Sequence, residues 1–241
     1  MRLGTSLAAK ISLLKELCIW NWIAFYKYSA PGGASEPVTT LQTTESLPRI
    51  AEAIARGGVI AFRTDTFYGL GADPFNRRAL ERIKQLKGRD ASKPILVVIS
   101  DIDQIERFVS ERSRAFDLLA ERFWPGALTL IGQAAPTVPD EVTAGTGTIG
   151  IRLPDDDSVR ALVRSCGGAL TATSANPSGE KPARTAEEVA GYFGATVDLI
   201  IDGGKARVDL PSTVVDAGGL EPKLIREGAI LWSLIQKSGL N

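Results

Sequence analysis

Apolar positions along the chain recur in two rhythms, and the switching between them predicts alternating helices and strands from residue 44 onward. Leu47, Ile50 and Ile54 repeat at helical spacing, and Gly57-Gly58 stop that helix. Val59 to Phe62 is a short apolar run of strand type, and Thr64 to Gly71 reads as the loop after it. Asn76 is placed to cap a helix in which Leu80, Ile83 and Leu86 share a face, ending at Lys87-Gly88-Arg89. Pro94 opens a strand over Ile95 to Ile99. Helices are predicted around Ile102 to Val109 and over Ser113 to Phe123, where Trp124-Pro125-Gly126 breaks the second. Strands follow at Ala127 to Ile131 and Ile149 to Leu153, on either side of a Gly/Thr/Pro loop over Ala134 to Gly147. A helix over Ser158 to Ser165, a strand from Ala169, a helix near Thr185 to Phe193 and a strand at Val197 to Ile201 continue the alternation. Short extended pieces at Ser212 to Val215 and Lys223 to Ile225 precede a last helix over Ile230 to Lys237, and no internal repeat is present.

Residues 1–43 break this rhythm. They are basic and rich in aromatics between Cys18 and Tyr28. Their apolar run from Leu17 to Phe25 is interrupted by Asn21 and falls short of the about 20 residues that a membrane span needs. The segment reads as a targeting or interfacial helix, or as an unstructured extension ending at Ala30-Pro31-Gly32-Gly33-Ala34-Ser35. The expected division is an N-terminal extension over 1–43 and one domain over 44–236, without stable membrane association.

One stretch concentrates polar chemistry. Ala169-Leu170-Thr171-Ala172-Thr173 resembles the end of a buried strand, and it breaks into Ser174-Ala175-Asn176-Pro177-Ser178-Gly179, where Asn-Pro and Ser-Gly force a turn. Hydroxyls and an amide are thereby crowded at a strand end, where open α/β sheets place ligands. Taken alone, the stretch is equally an ordinary polar turn. Composition narrows the chemistry available to it. The 241 residues carry 28 basic and 28 acidic side chains, so any anion site is local rather than global. There is no histidine, which removes Ser-His-Asp and Cys-His catalysis, His-ligated metals and imidazole proton shuttles. Cys18 and Cys166 are too few for a zinc site or a disulfide framework and read as reduced thiols of a cytosolic-type compartment.

Two tempting motifs fail. Gly145-Thr146-Gly147-Thr148-Ile149-Gly150 fits G-x-G-x-x-G, but it precedes a strand, whereas a dinucleotide fingerprint follows one and opens a helix. Asp155-Asp156-Asp157 stands at a helix start, where carboxylates serve as caps. The cations are more informative. Lys87 and Arg89 at a helix end read by themselves as partners of its last carbonyls. Lys93 adds a third cation against the lone acid Asp90, a cluster suited to a polyanion such as a triphosphate. Arg152 and Arg226 fall at predicted strand ends.

Lys87-Gly88-Arg89 together with Ser174-Ala175-Asn176 resembles the K-x-R…S-x-N pairing of the L-threonylcarbamoyladenylate synthase (YrdC-like) family. The resemblance extends through Thr64-Asp65-Thr66-Phe67-Tyr68-Gly69-Leu70, Lys93-Pro94-Ile95, Trp124-Pro125-Gly126, Ile149 to Pro154, Thr173 to Gly179, Pro211-Ser212-Thr213 and Ile225 to Gly228. The departures are Arg63 and Asp90, each where the family usually has proline, the first forty-odd residues, and the extra C-terminal domain of the long form, which has no counterpart here.

The resemblance implies an α/β fold built on a twisted mixed parallel/antiparallel sheet flanked by helices, with a concave, positively charged cleft. It implies condensation of L-threonine, bicarbonate and ATP to threonylcarbamoyl-AMP and pyrophosphate with Mg²⁺. That intermediate feeds N6-threonylcarbamoyladenosine formation in tRNA through downstream threonylcarbamoyl-transferase proteins, in the cytoplasm. Carried over residue by residue, Lys87, Arg89, Ser174 and Asn176 take the nucleotide and its reacting phosphate. Ser212 and Arg226 are further nucleotide contacts, and Thr64, Lys93, Arg152 and Thr173 contact threonine or the carbamate. The second reading is an RNA-binding module of the same fold; zero net charge weakens it, because duplex binding rests on several phosphate contacts. A direct tRNA contact stays open.

Overall fold

The longer described helices each bury one face, and most of them are capped by a side chain from the same local sequence. The computed structural model describes residues 39–42, 46–88 and 93–237. Helix α1 (Leu47–Ala55) starts after Ser46 with Pro48 in its first turn and buries Ile50, Ala53 and Ile54. Helix α2 (Arg77–Lys87) is capped by Asn76, whose side chain accepts from the Ala79 N–H at 3.1 Å, and it closes on Gly88 at φ 55°. Its buried face runs Ala79, Leu80, Ile83 and then Lys87, so the helical repeat carries a lysine inward. Ser113 caps α3 (Arg114–Phe123), Asp156 caps α5 (Asp157–Ser165), and Thr185 caps α6 (Ala186–Phe193). Between α3 and α5 lies the short α4 (Asp140–Thr143), and α7 (Trp232–Gln236) ends the described fold.

The strands form two mixed sheets. In the first the order is β1 (Thr40–Gln42), β10 (Leu199–Asp202), β2 (Ile60–Arg63), β3 (Tyr68–Gly71) and β9 (Thr173–Ser174). In the second it is β12 (Lys223–Arg226), β11 (Thr213–Asp216), β6 (Leu128–Ala134), β7 (Thr148–Arg152), β4 (Val97–Ile99) and β8 (Ala169–Thr171), with β5 (Val109–Glu111) beside β6. Pairings of both senses occur in each: β10 is parallel to β1 and β2, and β6 is parallel to β11 but antiparallel to β7. The run β8–β9 is a single stretch of chain that leaves the second sheet at Ala172 and enters the first. At the crossing the Ala172 N–H donates to the Leu96 carbonyl at 2.8 Å, and the Thr171 N–H to that of Ala72 at 2.9 Å. The strand-to-turn stretch singled out in the sequence is therefore the seam between the sheets. One buried cluster, including Ile50, Phe62, Val98, Leu162 and Leu170, lies under α1 and α5. A larger one, including Leu70, Leu80, Phe108, Phe116 and Ile151, fills the other side.

Three expectations change. Thr64 to Gly71 is not all loop, because Tyr68–Gly71 is a fully buried inner strand. Its Y-G-L-G composition hides it, since glycine is a poor strand former. A Cβ at Gly71 would come within 2.6 Å of the Phe62 ring, so the glycine is what lets β2 and β3 lie together there. The helix expected at Ile102 to Val109 is a 3₁₀ segment (Ile102–Arg107) followed by β5. The boundary at residue 43 also moves. Residues 1–38 lie outside those described, but Thr40–Gln42 pairs in register with Ile200–Asp202 as the edge of the first sheet. A three-residue strand with a single apolar side chain leaves too short a pattern to register.

Asp156 is a cap rather than a metal ligand. Its Oδ1 accepts from the Ser158 and Val159 N–H groups, and its Oδ2 accepts from Arg63 Nη2 at 2.7 Å, with both side chains buried. Arg63, where the family usually has proline, is thus neutralised inside the fold. Burial by itself would raise the Asp156 carboxyl; the Val159 N–H and the Arg63 guanidinium outweigh it and hold the group below the ordinary aspartate value.

Two outcomes follow. A protein beginning at Thr44 lacks β1 and should unfold a few degrees lower than one beginning at Pro37, since about 1 kcal/mol shifts Tm by about 2–4 °C at this size; thermal unfolding of the two compares them. Asp156→Ala should cost about 3–5 kcal/mol in denaturant unfolding, because it strands the buried Arg63 charge. Because the folded-state value of Asp156 is lowered, its contribution is present at neutral pH and is lost as pH falls through that value; the variant should therefore lose less stability on acidification.

Candidate active site

A cleft of about 560 Å³ opens along the seam. Its floor is one face of the second sheet, where alternate residues Thr148, Gly150 and Arg152 of β7 lie beside Thr129 and Ile131 of β6. One wall is the Thr64–Phe67 turn and β9 with the Ser174–Gly179 turn, and the other is Pro211, Ser212, Ile225 and Arg226. Nine of the ten residues predicted from the sequence line it: Thr64, Lys87, Lys93, Arg152, Thr173, Ser174, Asn176, Ser212 and Arg226. Arg89, together with Asp90, lies outside the described residues. Among the described residues the lining includes four cations (Lys87, Lys93, Arg152 and Arg226) and no carboxylate.

Several side chains reach the cleft already engaged. Lys87 is 5% exposed rather than a surface helix-end cation. Its ammonium donates to the Ser174 carbonyl and to the Asn176 carbonyl, the latter at 2.9 Å, and the Lys87 carbonyl accepts from the Ser178 N–H at 2.9 Å. The lysine therefore bolts the end of α2 to the turn after β9. Asn176 is oriented by that turn as well. Its Nδ2 donates to the Pro177 carbonyl at 2.9 Å and the Glu180 carbonyl at 2.8 Å, while its buried Oδ1 has no partner among the described residues. The flipped amide would set its oxygen against two carbonyls, so the network dictates the orientation. Asn176 thus spends its amide N–H groups on the turn, and its oxygen is left without a partner among the described residues. The Ser174 Oγ has no hydrogen bond among the described residues.

Thr64 closes its own turn. Its Oγ1 donates to the Phe67 carbonyl at 2.7 Å and accepts from the Thr66 N–H at 3.1 Å, leaving its methyl group for the cleft. The Ser212 Oγ lies 2.9 Å from Thr129 Oγ1. Arg226 donates from Nη2 to the Ser212 carbonyl at 2.8 Å, so guanidinium and hydroxyl arrive as one unit. Burial first, and then the charge of Arg152, lower the Arg226 guanidinium from the usual arginine value. Two arginines close enough to repel each other across a cleft are favourably bridged by an anion. Thr66, Thr129 and Tyr68 also line the site and escaped the sequence reading. Thr129 could have been found from strand alternation, since it sits two residues before Ile131. Tyr68 belonged to the unrecognised strand; its hydroxyl donates to the Gly204 carbonyl at 2.8 Å, and burial pushes it up to about 12.

The burial of Lys87 sets an expectation. Lys87→Ala leaves the Asn176 carbonyl without the ammonium donor, while the Ser174 carbonyl keeps the Asn176 N–H at 2.9 Å, and should cost about 1–3 kcal/mol in denaturant unfolding, in addition to any effect on the cleft's chemistry.

The family model described as "Telomere recombination", that of the Sua5, YciO and YrdC proteins, matches residues 52–228. A threonylcarbamoyl-AMP synthase of Pyrococcus abyssi is 37% identical over 190 residues, covering 78% of this chain and 56% of its own. The protein of the same name from Bacillus subtilis is 40% identical over 187 residues, covering 76% and 54%. That of Thiobacillus denitrificans is 40% identical over 169 residues, covering 70% and 89%. The chain thus spans just over half the length of the first two relatives and most of the third. Among solved structures, P. abyssi Sua5 complexed with L-threonine superposes with a TM-score of 0.79 at 33% identity, covering 83% of this chain and 60% of that one. E. coli YciO superposes with a TM-score of 0.70 at 27% identity, covering 79% and 95%. The chain belongs to the Sua5/YciO/YrdC family.

Proposed function

We propose that this chain is an L-threonylcarbamoyladenylate synthase, a nucleotidyltransferase acting on L-threonine, bicarbonate and ATP. The observation that carries the reading is the cleft in which, among the described residues, four cations meet the Ser174–Asn176 strand end with no carboxylate in the lining. The names of the relatives, and the threonine complex of the P. abyssi protein, support the choice of substrates.

The reaction joins the threonine amine to the carbon of bicarbonate with loss of water. An oxygen of the resulting carbamate then attacks the α-phosphorus of ATP, and pyrophosphate leaves with the bridging oxygen. The first step needs two small reactants held together, which confinement supplies without a histidine. The second needs positive charge and donors around the phosphates as charge shifts to the leaving group. Arg226, carried on β12 with Ser212, and Arg89 suit the polyphosphate. The Ser174 hydroxyl suits an oxygen at the reacting phosphorus. Lys87 contributes charge at short range while it fixes the Ser174–Asn176 turn, so its part is positional as well as electrostatic. Arg152 and Lys93, with Thr64 and Thr173, suit the carboxylate and body of threonine.

Magnesium fits this set through oxygen donors. Among the described residues no cluster of acidic side chains could hold a metal alone, so the ion would be held chiefly by phosphate oxygens, with the Ser174 hydroxyl and the Asn176 amide as neutral groups of the lining beside them. When bound, the ion supplies charge neutralisation at the phosphates. The product suits a later carbamoyl transfer to adenosine in tRNA by separate proteins, and cytoplasmic location accords with that substrate. No described helix is long and apolar enough to cross a membrane.

Pyrophosphate release tests the reading. It should require ATP, threonine and bicarbonate together and should proceed without tRNA. Nanomolar tRNA binding with no RNA-free turnover would instead favour the RNA-binding module. Arg226→Ala should raise the ATP KM by at least about tenfold, the loss of one charge-assisted contact, and steady-state kinetics at saturating threonine reads it out.

A further inference from the structure

The Thr64-Asp65-Thr66 turn places two hydroxyl side chains on the cleft, with a carboxylate that is not part of its lining between them. The Asp65 side chain is 7% exposed, and the guanidinium it faces, that of Arg152, is 3% exposed, with Nη2 of Arg152 3.1 Å from Oδ1 of Asp65. The approach is an ion pair rather than a directed hydrogen bond, since neither Asp65 oxygen meets the angular requirement with any described donor. On its other side Arg152 donates from Nη1 to Thr66 Oγ1 at 3.2 Å. One short turn therefore grips both ends of the guanidinium fork. Arg152 Nε is buried and has no partner among the described residues, although Arg152 lines the cleft. A buried guanidinium with an unmet donor is unfavourable until an acceptor arrives.

We infer that Asp65 is a positioning residue: through the ion pair with Arg152, and together with Thr66, it holds the guanidinium so that its remaining edge receives the carboxylate of the amino-acid substrate. This rests on the synthase reading and deepens it by naming what orients the threonine contact. The surroundings support the division of labour. Burial raises the Asp65 carboxyl and Arg152 opposes that rise, so each charge is tolerated chiefly because of the other. Asp156 also acts on Asp65 with the sign that disfavours its charge, but Asp156 is itself bound to Arg63. The charge of Arg226 repels that of Arg152, so without Asp65 the guanidinium loses its neighbouring counter-charge among the described residues and keeps the Thr66 hydrogen bond as its remaining hold.

Steady-state kinetics with each substrate varied in turn, on the full chain, separates this from a merely structural role. Asp65→Asn should raise the threonine KM by about tenfold or more while the ATP KM stays within about twofold, because a single oriented ion contact is lost. In an Arg152→Lys background the same change should alter the threonine KM by less than about twofold, since the residue acts through Arg152. If Asp65→Asn does not fold, Thr66→Val, which removes the other grip on the guanidinium, should show the same selective rise. A folded Asp65→Asn (or Thr66→Val) with unchanged threonine KM, or with both KM values raised in step, overturns the inference. A wild-type protein that releases no pyrophosphate with threonine and bicarbonate overturns the synthase reading itself, a distinct result.

Discussion

The site depends on one buried charge. Lys87 lies on the inward face of α2, and its ammonium is held by two carbonyls of the turn that follows β9. Removing an ammonium from water is costly unless its donors are met, so the lysine and the turn specify each other. The end of α2, closed by Gly88 in the left-handed region, cannot shift without breaking the ammonium's bonds to the Ser174 and Asn176 carbonyls. Those same carbonyls belong to the residues whose side chains face the cleft. That fixes the backbone there, and the Asn176 amide is oriented in addition by its own bonds to the Pro177 and Glu180 carbonyls. Lys87 and the Ser174–Asn176 turn, more than eighty residues apart in the chain, are thereby one mechanical unit.

The second constraint is electrostatic. The chain has no net charge, yet the described lining of the cleft has four cations and no acid. Acids are used behind the surface instead. Asp65 faces Arg152, and Asp156 faces Arg63 and the start of α5, so two buried arginines are neutralised from beneath. Arg152 is paired through both Nη groups, while its Nε has no partner among the described residues. Such an arrangement concentrates anion affinity in one place and leaves the rest of the surface balanced, in keeping with a small polyanionic substrate rather than a long nucleic acid.

Much of this was legible in the sequence, for identifiable reasons. The caps at Asn76, Ser113 and Thr185 lie where residue type and spacing place them, because capping is decided within one turn of chain. The strand end at Ala169 to Gly179 was visible because composition changes abruptly from apolar to turn-forming. What escaped depends on contacts distant in sequence. Tyr68–Gly71 is a strand because β2 and β9 flank it, not because Y-G-L-G favours one. The direction of the Asn176 amide is set by the Pro177 and Glu180 carbonyls, and the depth of Lys87 by a turn far along the chain. Even so, Leu80, Ile83 and Lys87 repeat at three and four residues, and that stripe was the available sign that the lysine faces inward.

The central claim is that threonine and the triphosphate occupy this one cleft side by side. Manganese bound with a non-hydrolysable ATP analogue provides a direct ruler, because a paramagnetic ion broadens only nearby protons. Added to the protein with excess L-threonine, it should strongly relax the threonine methyl signal, and Arg226→Ala should weaken the effect by reducing nucleotide occupancy. A threonine signal that still shows binding but is unaffected by the manganese–nucleotide complex would place the two substrates in separate sites and contradict the account.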